Sequence, residues 1–71
     1  MRQSERERLR NMVSAATDKF EHAAIYDAIA SAERDEKDAK AARLLHEAAL
    51  ELMRGNVDKT LAALDAIIPE S

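Results

Sequence analysis

The chain has 71 residues, a formal net charge of −3 and no cysteine. This length allows one domain, and the acidic balance indicates no general preference for nucleic acid or anionic membranes. Without cysteine the chain lacks disulfides, thiolate metal ligands and thiol nucleophiles, which fits a reducing compartment, so we expect a cytoplasmic protein. No apolar run approaches the roughly 20 residues of a membrane-spanning helix, so no membrane association is expected.

The composition predicts an all-α fold. Fifteen residues are alanine, whereas glycine and proline occur once each and aromatic residues number two. Good helix formers therefore dominate, and β-branched and turn residues are few. Apolar periodicity and short charged connections indicate a small antiparallel bundle of three helices, spanning about residues 4–32, 36–54 and 57–68.

The first predicted helix begins near Ser4, and the residues before it, 1–3, are expected to fray. Ser4 suits the N-cap position, because Glu7 stands three residues later and completes a capping-box pattern. Helical spacing then places five apolar residues in one stripe: Leu9, Met12, Val13, Ala16 and Phe20.

A break near Thr17 is the alternative to one long first helix. Asp18, followed three residues later by Glu21, forms a second N-terminal capping pattern. The apolar stripe nevertheless runs from Leu9 to Phe20 without losing phase. We therefore favour one helix that bends at most.

The segment 20–32 is apolar on more than one side. At about 100° per residue, Ile25 and Ile29 lie about 140° and 180° from Phe20. The core is also thin for a chain without disulfides, and small domains of this kind often depend on association. The segment is either a central helix whose two sides are ordinary core or a helix whose second face meets another chain. We adopt the second interpretation, a partner or homodimer interface formed by Leu9, Met12, Ile25, Tyr26 and Ile29.

The second and third predicted helices form a hairpin around Gly55, the only glycine. Glycine adopts the left-handed conformation that ends many helices, and Asn56 suits the cap of the next helix. The charged segment 33–38 is interpreted as the preceding turn, with Asp35 as N-cap. Pro69 is expected to end the last helix and to leave a frayed tail at 69–71, after an apolar stripe of Val57, Leu61, Leu64 and Ile68.

The segment from Gly55 to Leu61 resembles the turn between the two helices of a tetratricopeptide repeat. The resemblance covers roughly ten residues of the chain's 71 and implies a helical hairpin, of a kind that binds peptides or helices. Thr60 stands where that repeat prefers alanine, and no second copy occurs about 34 residues earlier. We interpret the likeness as a shared solution to a helical turn.

No constellation of residues indicates catalysis or metal binding. His22 stands beside Glu21 and His46 beside Glu47, and neighbouring side chains on a helix diverge by about 100°. Neither pair has the Glu-x-x-His spacing of a bundle metal site. Serines and threonines lack a glycine-rich elbow or phosphate loop. We therefore expect no enzyme, no cofactor and no metal site.

Two function classes remain. The leading hypothesis is a small non-enzymatic protein-interaction module, an adaptor, chaperone-like subunit or regulator, that acts through helix–helix contacts as a homodimer. The alternative is a nucleic-acid-associated regulator, whose contacts would come from Arg6 and Arg10 on one face of the basic first helix. Glu5 and Glu7 are interleaved with these arginines, which weakens the local positive field.

Overall fold

The computed structural model describes residues 1–70 and contains four α-helices. They are α1 (Gln3–Ala15), α2 (Lys19–Asp35), α3 (Ala39–Met53) and α4 (Val57–Asp65). The prediction of an all-α fold is confirmed, and no strand occurs among residues 1–70. The predicted number of three helices is wrong, because the first predicted helix is two.

The break falls at residues 16–18, at the second capping pattern. Ala16 and Asp18 have extended backbones, with ψ of 133° and 173°. The Glu21 N–H donates to Asp18 Oδ1 over 2.9 Å, and the Glu21 carboxylate accepts from the Thr17 N–H over 3.0 Å. These reciprocal bonds satisfy orphan donors at the start of α2. Local capping therefore outweighs the continuous apolar stripe.

The break also lets the chain fold back on itself. A continuous helix over 4–32 would be about 44 Å long at 1.5 Å per residue, whereas the longest dimension of the molecule is 33 Å. With the break, α1 packs against both α2 and α4, while α3 packs between α2 and α4. The first helix begins at Gln3, not after Ser4, because the Arg2 carbonyl already accepts the Arg6 N–H over 3.1 Å.

The turn before α3 lies later than predicted. Asp35 is the last residue of α2, so its assignment as the N-cap of α3 is wrong. Asp38 is the N-cap, and its carboxylate accepts from the Ala41 N–H over 2.9 Å. The Glu36 carboxylate accepts from the Asp38 N–H over 3.2 Å. Two acidic side chains thus close a turn that contains no glycine or proline.

The hairpin between α3 and α4 is closed by Gly55, which has a φ of +81°. The Asn56 N–H donates to the Glu51 carbonyl over 2.9 Å, and the Gly55 N–H donates to the Leu52 carbonyl over 3.0 Å. This pattern is the Schellman motif, as the position of the glycine indicates. Asn56 occupies the N-cap position of α4, but its side chain donates to Glu51 Oε2 over 3.0 Å and does not cap the helix.

The last helix ends at Asp65, three residues before the predicted end at residue 68. Ile67 is buried and Ile68 is 79% exposed, so Ile67 completes the apolar stripe and Ile68 does not. Pro69 disfavours helical backbone at Ile68, so α4 does not extend to the predicted end.

The core lies between all four helices, and the two chain ends are joined beside it. Met1 is buried, and its carbonyl accepts the Glu70 N–H over 2.9 Å, so residues 1–3 do not form a loose end. Ser71 lies outside the described residues. The buried apolar side chains are Met1, Leu9, Val13, Ile25, Ile29, Ala32, Ala41, Leu45, Ala48, Ala49, Leu52, Ala63, Leu64 and Ile67.

Candidate functional site: the cleft between α2 and α3

The residues expected at a partner interface lie mainly inside the molecule. Leu9 and Ile29 are fully buried and Ile25 is 4% exposed. Met12 and Tyr26 are partly buried and pack against the core. In this conformation Leu9, Ile25 and Ile29 therefore stabilise the single chain, and only Tyr26 reaches the surface feature described next.

The large exposed apolar side chains are different ones. Phe20 is 87% exposed and Met53 is 69% exposed, while Leu50 is 37% exposed. Phe20 lies on the first turn of α2 and Met53 is the last residue of α3. Leu50 lies one turn before Met53. Because α2 and α3 are antiparallel neighbours, these residues belong to one end of the helix pair.

An open cleft of about 590 Å³ lies at this end, between the first half of α2 and the end of α3. Ala23 contributes only a methyl group to its wall, and Gly55 contributes no side chain. These two small residues leave space between the larger side chains that line the rest of the cleft. The residues that line it are Lys19, His22, Ala23, Tyr26, Asp27, Leu52, Met53, Arg54 and Gly55.

Met53 is a lining residue of this cleft, and Phe20 lies on the same helix as five of the other lining residues. Met53 lines it directly, and Phe20 precedes the lining residue Ala23 by three positions on α2. Residues three apart on a helix lie on neighbouring parts of one face. We group the apolar residues of the cleft wall and the exposed apolar side chains at this end of the helix pair under one name, the α2–α3 surface: Phe20, Ala23, Tyr26, Leu50 and Met53.

The charged residues of the cleft differ in how they are bonded. Arg54 Nη1 donates to Glu51 Oε1 over 2.8 Å. The Asn56 amide and, secondarily, the Arg54 guanidinium lower the pKa of the Glu51 carboxyl, although burial opposes them. Within residues 1–70, neither Lys19 nor Asp27 has an ion-pair partner. These two side chains are available to another molecule.

His22 and Tyr26 share the wall of the cleft, as their spacing of four residues predicts. Neither side chain has a hydrogen-bond partner in the part of the chain that the structure describes. His46 lies elsewhere on α3, with its Nδ1 3.3 Å from Glu33 Oε1. The two histidines are therefore separate, and no group of three metal-ligating side chains occurs within residues 1–70.

The two arginines proposed to contact nucleic acid are bonded to α4 and to the turn that follows it. Arg6 Nη1 donates to the Ile67 carbonyl over 2.7 Å, and Arg10 Nε donates to Asp65 Oδ1 over 2.8 Å. Both side chains thus stabilise the contact of α1 with the end of α4. A role of these arginines in contacting nucleic acid stays a prediction.

A second charged cluster joins the chain ends. The Met1 ammonium lies 2.8 Å from Glu36 Oε2 and 3.2 Å from Glu70 Oε1. The hydrogen bond that the ammonium donates to the Glu36 carboxylate raises the pKa of the ammonium and lowers the pKa of the Glu36 carboxyl. The Glu36 side chain is almost completely buried. This cluster stabilises the turn before α3 and lies outside the cleft.

Sequence reasoning missed Phe20 and Met53 as surface residues. It assigned Phe20 to the inward stripe of a continuous helix. The break before α2 removes any fixed phase between Phe20 and Leu9, so Ile25 and Ile29 face the core while Phe20 faces outward. The capping pattern of Asp18 and Glu21 is the signal that indicates this arrangement.

In residues 1–70, no helix is both long and apolar enough to cross a membrane. Comparison of the chain with protein-family models, with curated proteins and with solved structures found no match.

Proposed function

We propose that this chain is a small non-enzymatic protein-interaction module that works by helix–helix contact, as a homodimer, through the α2–α3 surface. It would serve as an adaptor, a chaperone-like subunit or a regulator. The absence of cysteine supports a cytoplasmic setting.

The observation that carries the proposal is the exposure of Phe20 and Met53 at the end of the α2–α3 pair that holds the open cleft. An exposed phenylalanine costs free energy in water, and burial of its ring would recover about 1.5–3 kcal/mol. Contiguous apolar surface of this kind marks interaction sites. A cleft between two helices accepts a third helix, whose apolar side chains fill the space between the first two.

The proposal keeps the helix–helix mechanism expected from the sequence and changes the residues that carry it. Ile25 and Ile29 support α2 from within, because they pack against the core. Phe20, on the outer side of the same helix, becomes the anchor. Tyr26 belongs to both arrangements, since it packs against the core and also lines the cleft.

Sedimentation velocity of four proteins tests the proposal: the wild type, Phe20→Ser, Met53→Ser and the control Ile68→Ser. Ile68 is 79% exposed, so the control removes a comparable apolar side chain outside the cleft. We expect the wild type and the control to sediment as dimers, and the two cleft variants to sediment as monomers. A monomeric wild type, or equal effects of all three substitutions, would refute the proposal.

A further inference from the structure

We propose that each cleft receives α2 of a second copy of this chain, and that the two α2 helices run antiparallel about a two-fold axis beside Ala23. This inference rests on the proposed function, because it assigns the register of the same surface. A two-fold interface uses the same surface on both copies, which must therefore be complementary to itself.

Two charged residues of the cleft make its surface complementary to itself. Lys19 and Asp27 both line it, and each stands four residues from Ala23, on opposite sides along α2. In an antiparallel pair centred on Ala23, Lys19 of one copy is level with Asp27 of the partner subunit. The symmetry repeats this pair at the other end of the contact. Because neither side chain has an ion-pair partner within residues 1–70, both are available for it.

A parallel arrangement lacks this complementarity. It would place the two Lys19 side chains beside each other, and likewise the two Asp27 side chains. Like charges in contact oppose association, and they select against that orientation. The charge pattern therefore favours the antiparallel arrangement over the parallel one.

The small side chain at the centre permits a close contact. Packed helices lie about 8–10 Å apart, and the distance depends on the side chains at the crossing point. Ala23 is exposed and presents only a methyl group. Two alanines at the axis therefore let the α2 helices approach near the lower end of that range, which brings the flanking side chains into reach.

The same register brings the two most exposed side chains of the surface together. The contact of His46 with Glu33 aligns α3 with α2. Met53 follows His46 by seven residues and Tyr26 precedes Glu33 by seven, so Met53 and Tyr26 are level along the antiparallel pair.

In an antiparallel α2 pair centred on Ala23, the residue level with Tyr26 is the partner subunit's Phe20. The ring of that Phe20 then covers Met53, a favourable contact between a thioether and an aromatic ring. Burial of both side chains by one contact explains why each is exposed in the single chain.

A charge-exchange experiment tests the register. Lys19→Glu and Asp27→Lys are made singly and together, and Lys40→Glu, at an exposed lysine on α3 outside the cleft, controls for net charge. Circular dichroism confirms that each variant is folded. Sedimentation equilibrium then gives the dimer dissociation constant of each protein and of the equimolar mixture of the two single variants.

Each single variant places like charges opposite each other at both ends of the contact. We expect its dissociation constant to rise about tenfold, because two like-charge pairs replace two ion pairs of modest strength. The double variant exchanges the two charges and should return to near the wild-type value. The mixture of single variants should form heterodimers in preference to either homodimer, because each mixed pair is complementary. The Lys40→Glu control should bind as the wild type does.

Single variants that dimerise as tightly as the wild type, or a mixture without heterodimer preference, would overturn this register. If Phe20→Ser still dissociated the dimer in that case, the proposed function would stand and only the antiparallel pairing of α2 would fail. A wild type that stays monomeric would overturn both, and the cleft would then fit a helix of a different protein.

Discussion

We predict very different losses of stability when two large apolar residues on opposite faces of α2 are truncated. Ile29 is fully buried between the helices, whereas Phe20 is 87% exposed. Ile29→Ala removes buried methyl and methylene groups and leaves a cavity. Phe20→Ala removes a ring that already lies in water. A continuous first helix would assign Phe20 to the core, so this pair of variants distinguishes the two arrangements.

The expected effects on the free energy of unfolding differ several-fold. Truncation of a fully buried isoleucine to alanine typically costs about 2–5 kcal/mol. For Phe20 only about an eighth of the residue surface is buried, and full burial of such a ring contributes about 1.5–3 kcal/mol, so the loss is below about 0.5 kcal/mol. In a domain of this size, about 1 kcal/mol shifts the melting temperature by about 4–8 °C.

Urea unfolding followed by far-UV circular dichroism measures both variants, in protein dilute enough to separate the dimer. We expect Ile29→Ala to lower the transition midpoint strongly, and Phe20→Ala to leave it close to that of the wild type. Equal destabilisation by the two substitutions would refute the assignment of Phe20 to the surface and the break before α2 with it.

Three further predictions concern the turns and the chain ends. Gly55→Ala should destabilise by about 1 kcal/mol in thermal unfolding, because open space surrounds the site and only the left-handed φ of +81° opposes the side chain. Arg6→Gln loses the bond to the Ile67 carbonyl and should cost about 1–3 kcal/mol in urea unfolding. The stability difference between wild type and Glu36→Gln should be greatest between pH 4.5 and 8.0 in pH-dependent unfolding. It should fall as acid protonates Glu36 through its lowered pKa, and as base deprotonates the Met1 ammonium through its raised pKa.

A specific result would contradict each of these three predictions. An unchanged melting temperature for Gly55→Ala would contradict the Schellman turn. Retained stability of Arg6→Gln would show that its bond to the Ile67 carbonyl contributes little. A pH-independent difference for Glu36→Gln would contradict the ion pair with the Met1 ammonium.

The helical class and the hairpin around Gly55 could be predicted from the sequence, because local signals agree there. Alanine content, the stripes on α3 and α4, and a single glycine at the helix end all indicate the same structure. The end of α4 was predicted too late. Ile67 and Ile68 are the same type of residue, so only the contacts of the folded chain decide which of them is buried.

The break before α2 was not predicted, because two sequence signals disagreed. The stripe from Leu9 to Phe20 favoured continuity, and the capping pattern of Asp18 and Glu21 favoured a break. The capping bonds form at the break, and the break also lets α1 pack against α4, which one straight helix could not do, so local and tertiary contacts both favour it.

The residues of the candidate site depend on this break. Once α2 begins at Lys19, its phase is independent of α1, and Phe20 and Ile29 exchange their inner and outer positions. The pair of residues that borders the cleft also depends on the antiparallel alignment of α2 with α3. No pattern within either helix shows that Ala23 and Met53 line the same cleft.

A dilution series followed by amide NMR spectra tests the central claim, that the α2–α3 surface is the contact between two copies of this chain. From millimolar to micromolar protein, we predict chemical-shift changes concentrated in residues 19–27 and 50–55, with little change in α1 or in the second half of α4. Shifts concentrated on α1 and α4 would place the contact on the opposite side. Spectra that do not change with concentration, together with a monomer mass at the highest concentration, would contradict the claim outright.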